Sequence, residues 1–182
     1  GAGSIGMEIL RMAAPFDFQL KACDPYRSAD ELAAIGAEKL EIEALFSQSD
    51  IIIVATALND ETYHLVDGHK LGLMKADAAL VNVARGPVVH EADLIKALQN
   101  GQIRAAGLDV FEQEPVQMDN PLLKMDNVIT TSHSLCWTDE CFDNIARDGL
   151  GSVVSFAGRE LPRYIVNRSV LDTSAQKNWF EG

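Results

Sequence analysis

Apolar residues fall along this chain in two alternating rhythms. Runs such as IIIVATA at 51–57 and AALVNVA at 78–84 are of strand length and almost wholly apolar. That is the pattern of strands covered on both faces. Strands are therefore predicted over 18–23, 51–57, 78–84, 105–110 and 127–131. The intervening segments carry helical periodicity and predict helices over 4–14, 28–35, 42–48, 65–74, 90–100 and 138–157. Gly36, Gly101 and Gly158 stand where helices stop, and Thr138 where the last one starts. Buried strands alternating with helices require crossover connections and a parallel sheet covered on both sides, a doubly wound α/β fold.

In such a sheet ligands bind along the edge formed by the strand C-termini. The residues just past each strand are therefore the candidates. Asp24 follows the strand at 18–23, Arg85 the strand at 78–84, and Asp109 closes the strand at 105–110 with Glu114 five residues later. His133 follows the strand at 127–131. Together Arg85, Glu114 and His133 supply a carboxylate grip, an acid and a titratable ring. The remaining histidines read as ordinary surface residues: His64 and His69 in a polar connection, His90 at a helix start.

The chain opens with GAGSIG, in which Gly1, Gly3 and Gly6 match G-x-G-x-x-G. The first glycine permits a tight turn, the second a close approach to a pyrophosphate, and the third close packing of helix on strand. Asp24 stands 18 positions past Gly6, near the offset at which an acid accepts the ribose hydroxyls of a dinucleotide. The carboxylate favours NAD over NADP, with Arg27 as the residue that leaves the choice open. The strand that should precede such a turn is absent from the sequence, so the chain reads as truncated at its front.

Composition narrows the function classes. The net charge is −12 and the 15 basic residues are scattered, which disfavours nucleic acid and anionic membrane surfaces as partners. No apolar run is long enough to span a bilayer. Three cysteines, Cys23, Cys136 and Cys141, predict reduced thiols in a cytoplasmic protein rather than a disulfide framework or a metal site.

The stretches GAGSIG with CDPY, VNVARGPVVHEADLIKAL, AAGLDVFEQEP and NPLLKMDNVITTSH resemble the D-isomer-specific 2-hydroxyacid dehydrogenases in their NAD-binding domain. The resemblance implies a Rossmann domain over residues 1–158. Residues 159–182 would return toward a substrate domain. It implies NAD as cofactor, a small 2-hydroxy or 2-keto acid as substrate, and a homodimer. By position, Arg85 would bind the substrate carboxylate, His133 would be the general acid and base, and Glu114 would hydrogen-bond His133 and favour its charged form. Ser4 and Ile5 would meet the pyrophosphate, Asp24 the ribose and Asp109 the nicotinamide amide. Thr56, Ala57 and Val83 would line the cofactor through their backbone. The chain departs from the family pattern in SHSLCWTDE, where Trp137 stands four residues past His133. A tryptophan there is also a feature of the C-terminal-binding-protein corepressors, so an NAD(H)-sensing regulator is the alternative to a dehydrogenase.

Overall fold

The computed structural model describes residues 1–173 and Trp179. Part of the predicted return segment, residues 174–178 and 180–182, lies outside the described residues. The chain divides into two compact units, Gly1–His133 and Ser134–Gly182.

The first unit carries the six strands found among the described residues, each parallel to its neighbours. β1 (Leu20–Ala22) pairs with β2 (Ala37–Lys39), Leu20 opposite Ala37. A second sheet runs β3 (Ile51–Val54), β4 (Ala79–Asn82), β5 (Ala105–Leu108), β6 (Val128–Thr130) in that spatial order. Its register sets Ile52 beside Leu80 and Leu80 beside Ala106. The strands are shorter than the apolar runs. Thr56, Val83 and Asp109 lie just beyond the last ladder pairs, where the backbone leaves the sheet to form loops.

The helices are α1 (Ser4–Ala13), α2 (Ala29–Ala33), α3 (Ile42–Gln48), α4 (Gly68–Leu73) and α5 (Glu91–Gln99). Ser28 caps α2 through a reciprocal pair: its hydroxyl accepts from Glu31 N–H and the Glu31 carboxylate accepts from Ser28 N–H. Gly36 then ends the segment at φ 77°, a conformation costly for any residue with a Cβ. α4 is shorter than its periodicity predicts because Val66 pairs with Val89 in a bridge and the Asp67 side chain caps the helix. β2 was not predicted. Its sequence, AEK, has one buried residue and no apolar run, and only pairing with β1 makes it a strand.

Leu71, Leu80, Leu94, Ile103 and Leu122 are fully buried between the four-stranded sheet and its helices. Each contributes about 1.5–3 kcal/mol by leaving water. A smaller core of Ala2, Met7, Ala22, Leu32 and Ala37 lies under the two-stranded sheet. The facing edges of β1 and β3 line a cavity of about 540 Å³, with Leu20, Ala22, Ile51 and Ile53 on its walls beside Leu10 and Gly1. The spatial order β2-β1, cavity, β3-β4-β5-β6 matches the 3-2-1-4-5-6 order of a doubly wound sheet extended by one strand beyond its last, with the cavity at the place of the first.

The second unit contains α6 (Asp139–Ala157), capped by the Thr138 hydroxyl accepting from Cys141 N–H. The helix lies in the second compact unit. Phe142, Ile145, Leu150, Val153 and Val154 are exposed along it. Trp179 stacks on Phe156 at 5.2 Å. Among the described residues no helix is long and apolar enough to cross a membrane.

Candidate active site

The glycine turn sits between the ends of two strands. Ala2 N–H donates to Asp24 Oδ2 at 2.6 Å, just past β1. A Cβ on Gly1 would come within 2.8 Å of the Ala55 carbonyl oxygen, just past β3. Gly6 is equally constrained, since a Cβ there would stand 2.2 Å from the Gly1 carbonyl oxygen. Gly3 differs: a Cβ would meet nothing within 4 Å. Gly3 is the N-cap of α1, and Ser4 and Ile5 in the first turn are exposed. A helix N-terminus with open space before a glycine is the chemistry a pyrophosphate needs.

Asp24 is buried at the adjoining strand end, and Tyr26 N–H donates to its Oδ1 at 2.8 Å. Burial raises its carboxyl pKa, but the bonds from Ala2 and Tyr26 outweigh burial and hold it below its ordinary value. It is therefore an ionised acceptor whose oxygens retain lone pairs for ribose hydroxyls. Arg27 is engaged elsewhere, donating to the Ala2 carbonyl and pairing with Glu31 at 3.0 Å. The residues of this turn thus fit a dinucleotide. Thr56 is half-buried and Ala57 exposed beyond β3; Val83 is half-buried beyond β4.

The second cluster gathers beyond β4, β5 and β6. Asn82, 1% exposed, shapes the turn that carries Arg85. Its Nδ2 donates to the Arg85 carbonyl and its Oδ1 accepts from Ala84 N–H. Arg85 is exposed, its guanidinium donating to the Ala84 carbonyl at 2.6 Å. Asp109 is buried, and its Oδ1 accepts from the Thr131 hydroxyl at 2.6 Å, tying the ends of β5 and β6.

Glu114 and His133 meet directly. Glu114 Oε2 lies 2.8 Å from His133 Nδ1, and its Oε1 accepts from Phe111 N–H at 3.0 Å. Burial raises the Glu114 carboxyl pKa; the bonds from His133 and Phe111 and the charges of His133 and Arg85 outweigh it and leave the group below its ordinary value. The ionised carboxylate accepts from Nδ1–H, so Nε2 is the ring nitrogen that can pass a proton onward. His133 is 44% exposed on its side chain and its backbone is left-handed, φ 55°. Non-glycine residues adopt that conformation at a cost and often at functional sites.

Three residues of this region escaped the sequence reading. Asn82 carries a signal, a polar residue inside the apolar run AALVNVA. His64 and Glu112 carry none. His64 was read as part of a polar connection, yet its Nε2 lies 2.6 Å from Glu112 Oε1 with both side chains mostly buried. His90 was read as a helix-start residue; its ring packs edge-on against His64 at 4.4 Å and its Nδ1 lies 2.7 Å from Asp93. Among the described residues no group of histidine, cysteine and acidic side chains could hold a metal ion.

Residues 1–134 match the family model described as D-isomer specific 2-hydroxyacid dehydrogenase, NAD binding domain. The chain is 37% identical over 171 residues to a glyoxylate reductase of Korarchaeum cryptofilum, covering 94% of this chain and 52% of that protein. It is also 37% identical over 175 residues to glyoxylate/hydroxypyruvate reductase B of Yersinia pestis, covering 95% and 53%. Among solved structures it resembles D-lactate dehydrogenase with NAD+ from Lactobacillus jensenii, with a TM-score of 0.84, 28% identity, and coverage of 92% and 54%. The chain thus spans about half the length of the curated relatives it matches. By the match over residues 1–134, the chain belongs to the D-isomer specific 2-hydroxyacid dehydrogenase family, through its NAD-binding domain.

Proposed function

We propose that this chain is the cofactor-binding part of an oxidoreductase that moves a hydride between NAD(H) and a small D-2-hydroxy or 2-keto acid. The observation that carries the reading is the Glu114–His133 pair at 2.8 Å, set beyond neighbouring strand ends from Arg85. Bound NADH would supply the hydride for reduction of the keto carbon. His133 Nε2 donates the proton that the forming alkoxide needs and, in the oxidative direction, takes it back. Glu114 holds Nδ1–H, which fixes the ring's orientation and leaves Nε2 for the substrate. The Arg85 guanidinium grips the substrate carboxylate with two parallel hydrogen bonds and offsets charge gathering on oxygen. Asp109 would serve the nicotinamide amide, Asp24 the ribose, and the first turn of α1 at Ser4 and Ile5 the pyrophosphate.

Glyoxylate and hydroxypyruvate lead the substrate candidates because relatives at 37% identity are named for them. A homodimer is part of the proposal, supported by the apolar side chains exposed along α6. An NAD(H)-sensing regulator of the same fold is the second reading, favoured by Trp137 four residues past His133.

The test is the intact mass of the protein from its source, followed by NADH oxidation with a panel of 2-keto acids. Turnover dependent on one of them supports the dehydrogenase. NADH binding without turnover on any, in a protein that includes a substrate domain, favours the regulator.

A further inference from the structure

His64 stands between the two turns that carry the reactive groups. Its backbone N–H donates to the Pro87 carbonyl at 2.8 Å, two residues past Arg85. Val66 N–H donates to the Val88 carbonyl and His90 N–H to the Val66 carbonyl, so the segment at 64–66 runs alongside the one at 87–90. The His64 side chain reaches the other way, to Glu112 Oε1 at 2.6 Å. Glu112 is two residues before Glu114. Its second oxygen accepts from Glu91 N–H at 2.9 Å, and its own N–H donates to Glu91 Oε2 at 3.0 Å. Gly86 closes the contact: a Cβ there would lie 1.8 Å from the Phe111 carbonyl oxygen, so the turn after Arg85 rests on the Phe111–Glu112 peptide. Phe111 N–H in turn donates to Glu114 Oε1.

We propose that His64 and Glu112 are positioning residues, whose hydrogen-bonded pair locks the Arg85 turn and the Glu114 turn together and so holds the Glu114 carboxylate on His133. The proposal deepens the dehydrogenase reading and rests on it for its purpose, though not for its test. Three features support the lock over an incidental surface pair. Both partners are mostly buried. The His64 ring is held from two sides, stacked on Tyr63 at 3.9 Å and edge-on to His90 at 4.4 Å. Its backbone is left-handed at φ 51°, a conformation that persists in a non-glycine residue only where its surroundings impose it. Asp93, on His90 Nδ1, also accepts from Gly68 N–H through Oδ2, which anchors the outer side of the cluster to α4.

The experiment follows the Glu114 carboxyl carbon by NMR through an acid titration of the 182-residue chain. Wild type is compared with His64→Ala, Glu112→Ala and His64→Gln. The alanine variants are expected to move the Glu114 midpoint upward, because the bonds from Phe111 and His133 that hold it low are loosened. His64→Gln is expected to keep the wild-type midpoint, since its amide N–H reaches Glu112 in place of Nε2. An unmoved midpoint in the folded alanine variants overturns the proposal, as does an equal shift in His64→Ala and His64→Gln. Should Glu112→Ala fail to fold, His64→Ala, which keeps the backbone bond to Pro87, decides the matter by the same readout. Failure of every 2-keto acid as substrate would defeat the dehydrogenase reading and leave this titration standing.

Discussion

Glu114 and His133, 19 residues apart in the chain, meet at 2.8 Å through Oε2 and Nδ1. Neither could hold this position from its own loop alone. Glu114 is pinned by Phe111 N–H just beyond β5, and β6 delivers His133 alongside because it pairs with β5 from Ala106–Val128 to Leu108–Thr130. The pair is thus a product of sheet register, and its consequences can be measured.

Replacing His133 by glutamine removes the proton donor while keeping a side chain of similar reach. In a protein that turns over a 2-keto acid, His133→Gln should lower kcat by roughly 10²–10⁴-fold with NADH binding nearly unchanged. Steady-state kinetics beside a fluorescence titration of NADH separate the two. Wild-type turnover in the variant would remove His133 from the chemistry.

The Glu114 carboxyl has a depressed pKa in the folded chain. A depressed acid stabilises the fold at pH values above its unfolded pKa, and that contribution is lost as pH falls through the lower, folded value. The side chains are 38% and 44% exposed, so solvent screens the effect and it is modest. Thermal unfolding midpoints measured down through the acid range should fall more steeply for wild type than for Glu114→Gln. Parallel curves would show that the pair adds no pH-dependent stability.

Asn82 satisfies two backbone groups from a position 1% exposed. Asn82→Leu would leave Ala84 N–H and the Arg85 carbonyl without those bonds, at a cost of about 1–3 kcal/mol for each group left unpaired in the interior. Urea unfolding should show a lowered midpoint. Substrate KM should also rise through the displaced Arg85 turn. An unchanged midpoint would mean that water replaces the side chain.

Gly3 and Gly6 have opposite reasons for being glycine. Gly6→Ala forces a Cβ to 2.2 Å from the Gly1 carbonyl oxygen, whereas Gly3→Ala meets nothing within 4 Å. Gly6→Ala should therefore lower both thermal stability and NADH affinity. Gly3→Ala should leave stability intact and weaken NADH binding alone, because the methyl group stands where the pyrophosphate would approach. Equal stability losses in the two variants would contradict the packing described here.

Much of this was legible in the order of residues along the chain. The apolar runs located five of the six strands among the described residues, although Ile51, Ile53 and Ile129 on those strands stand exposed. Asp24, Arg85 and His133 were singled out because they follow those runs and Asp109 because it closes one, whereas Thr56, inside the run at 51–57, came from the resemblance alone. The spacing from Gly6 to Asp24 marked the dinucleotide turn. Glu114 was grouped with His133 from its place after the strand at 105–110, and the resemblance to the family gave it the same role.

What the chain order alone determined is therefore the local part: which segments are strands or helices, and which polar residues stand at their ends. Those properties follow from hydrophobic period, caps and turn residues within a few positions of each other. The tertiary structure decided the rest. It made AEK at 37–39 a strand by pairing it with β1, and it left the facing edges of β1 and β3 on one cavity. It also joined His64 to Glu112 across 48 positions of sequence. Such contacts leave no periodic trace, because they depend on where separate loops come to rest once the sheet and its helices have packed.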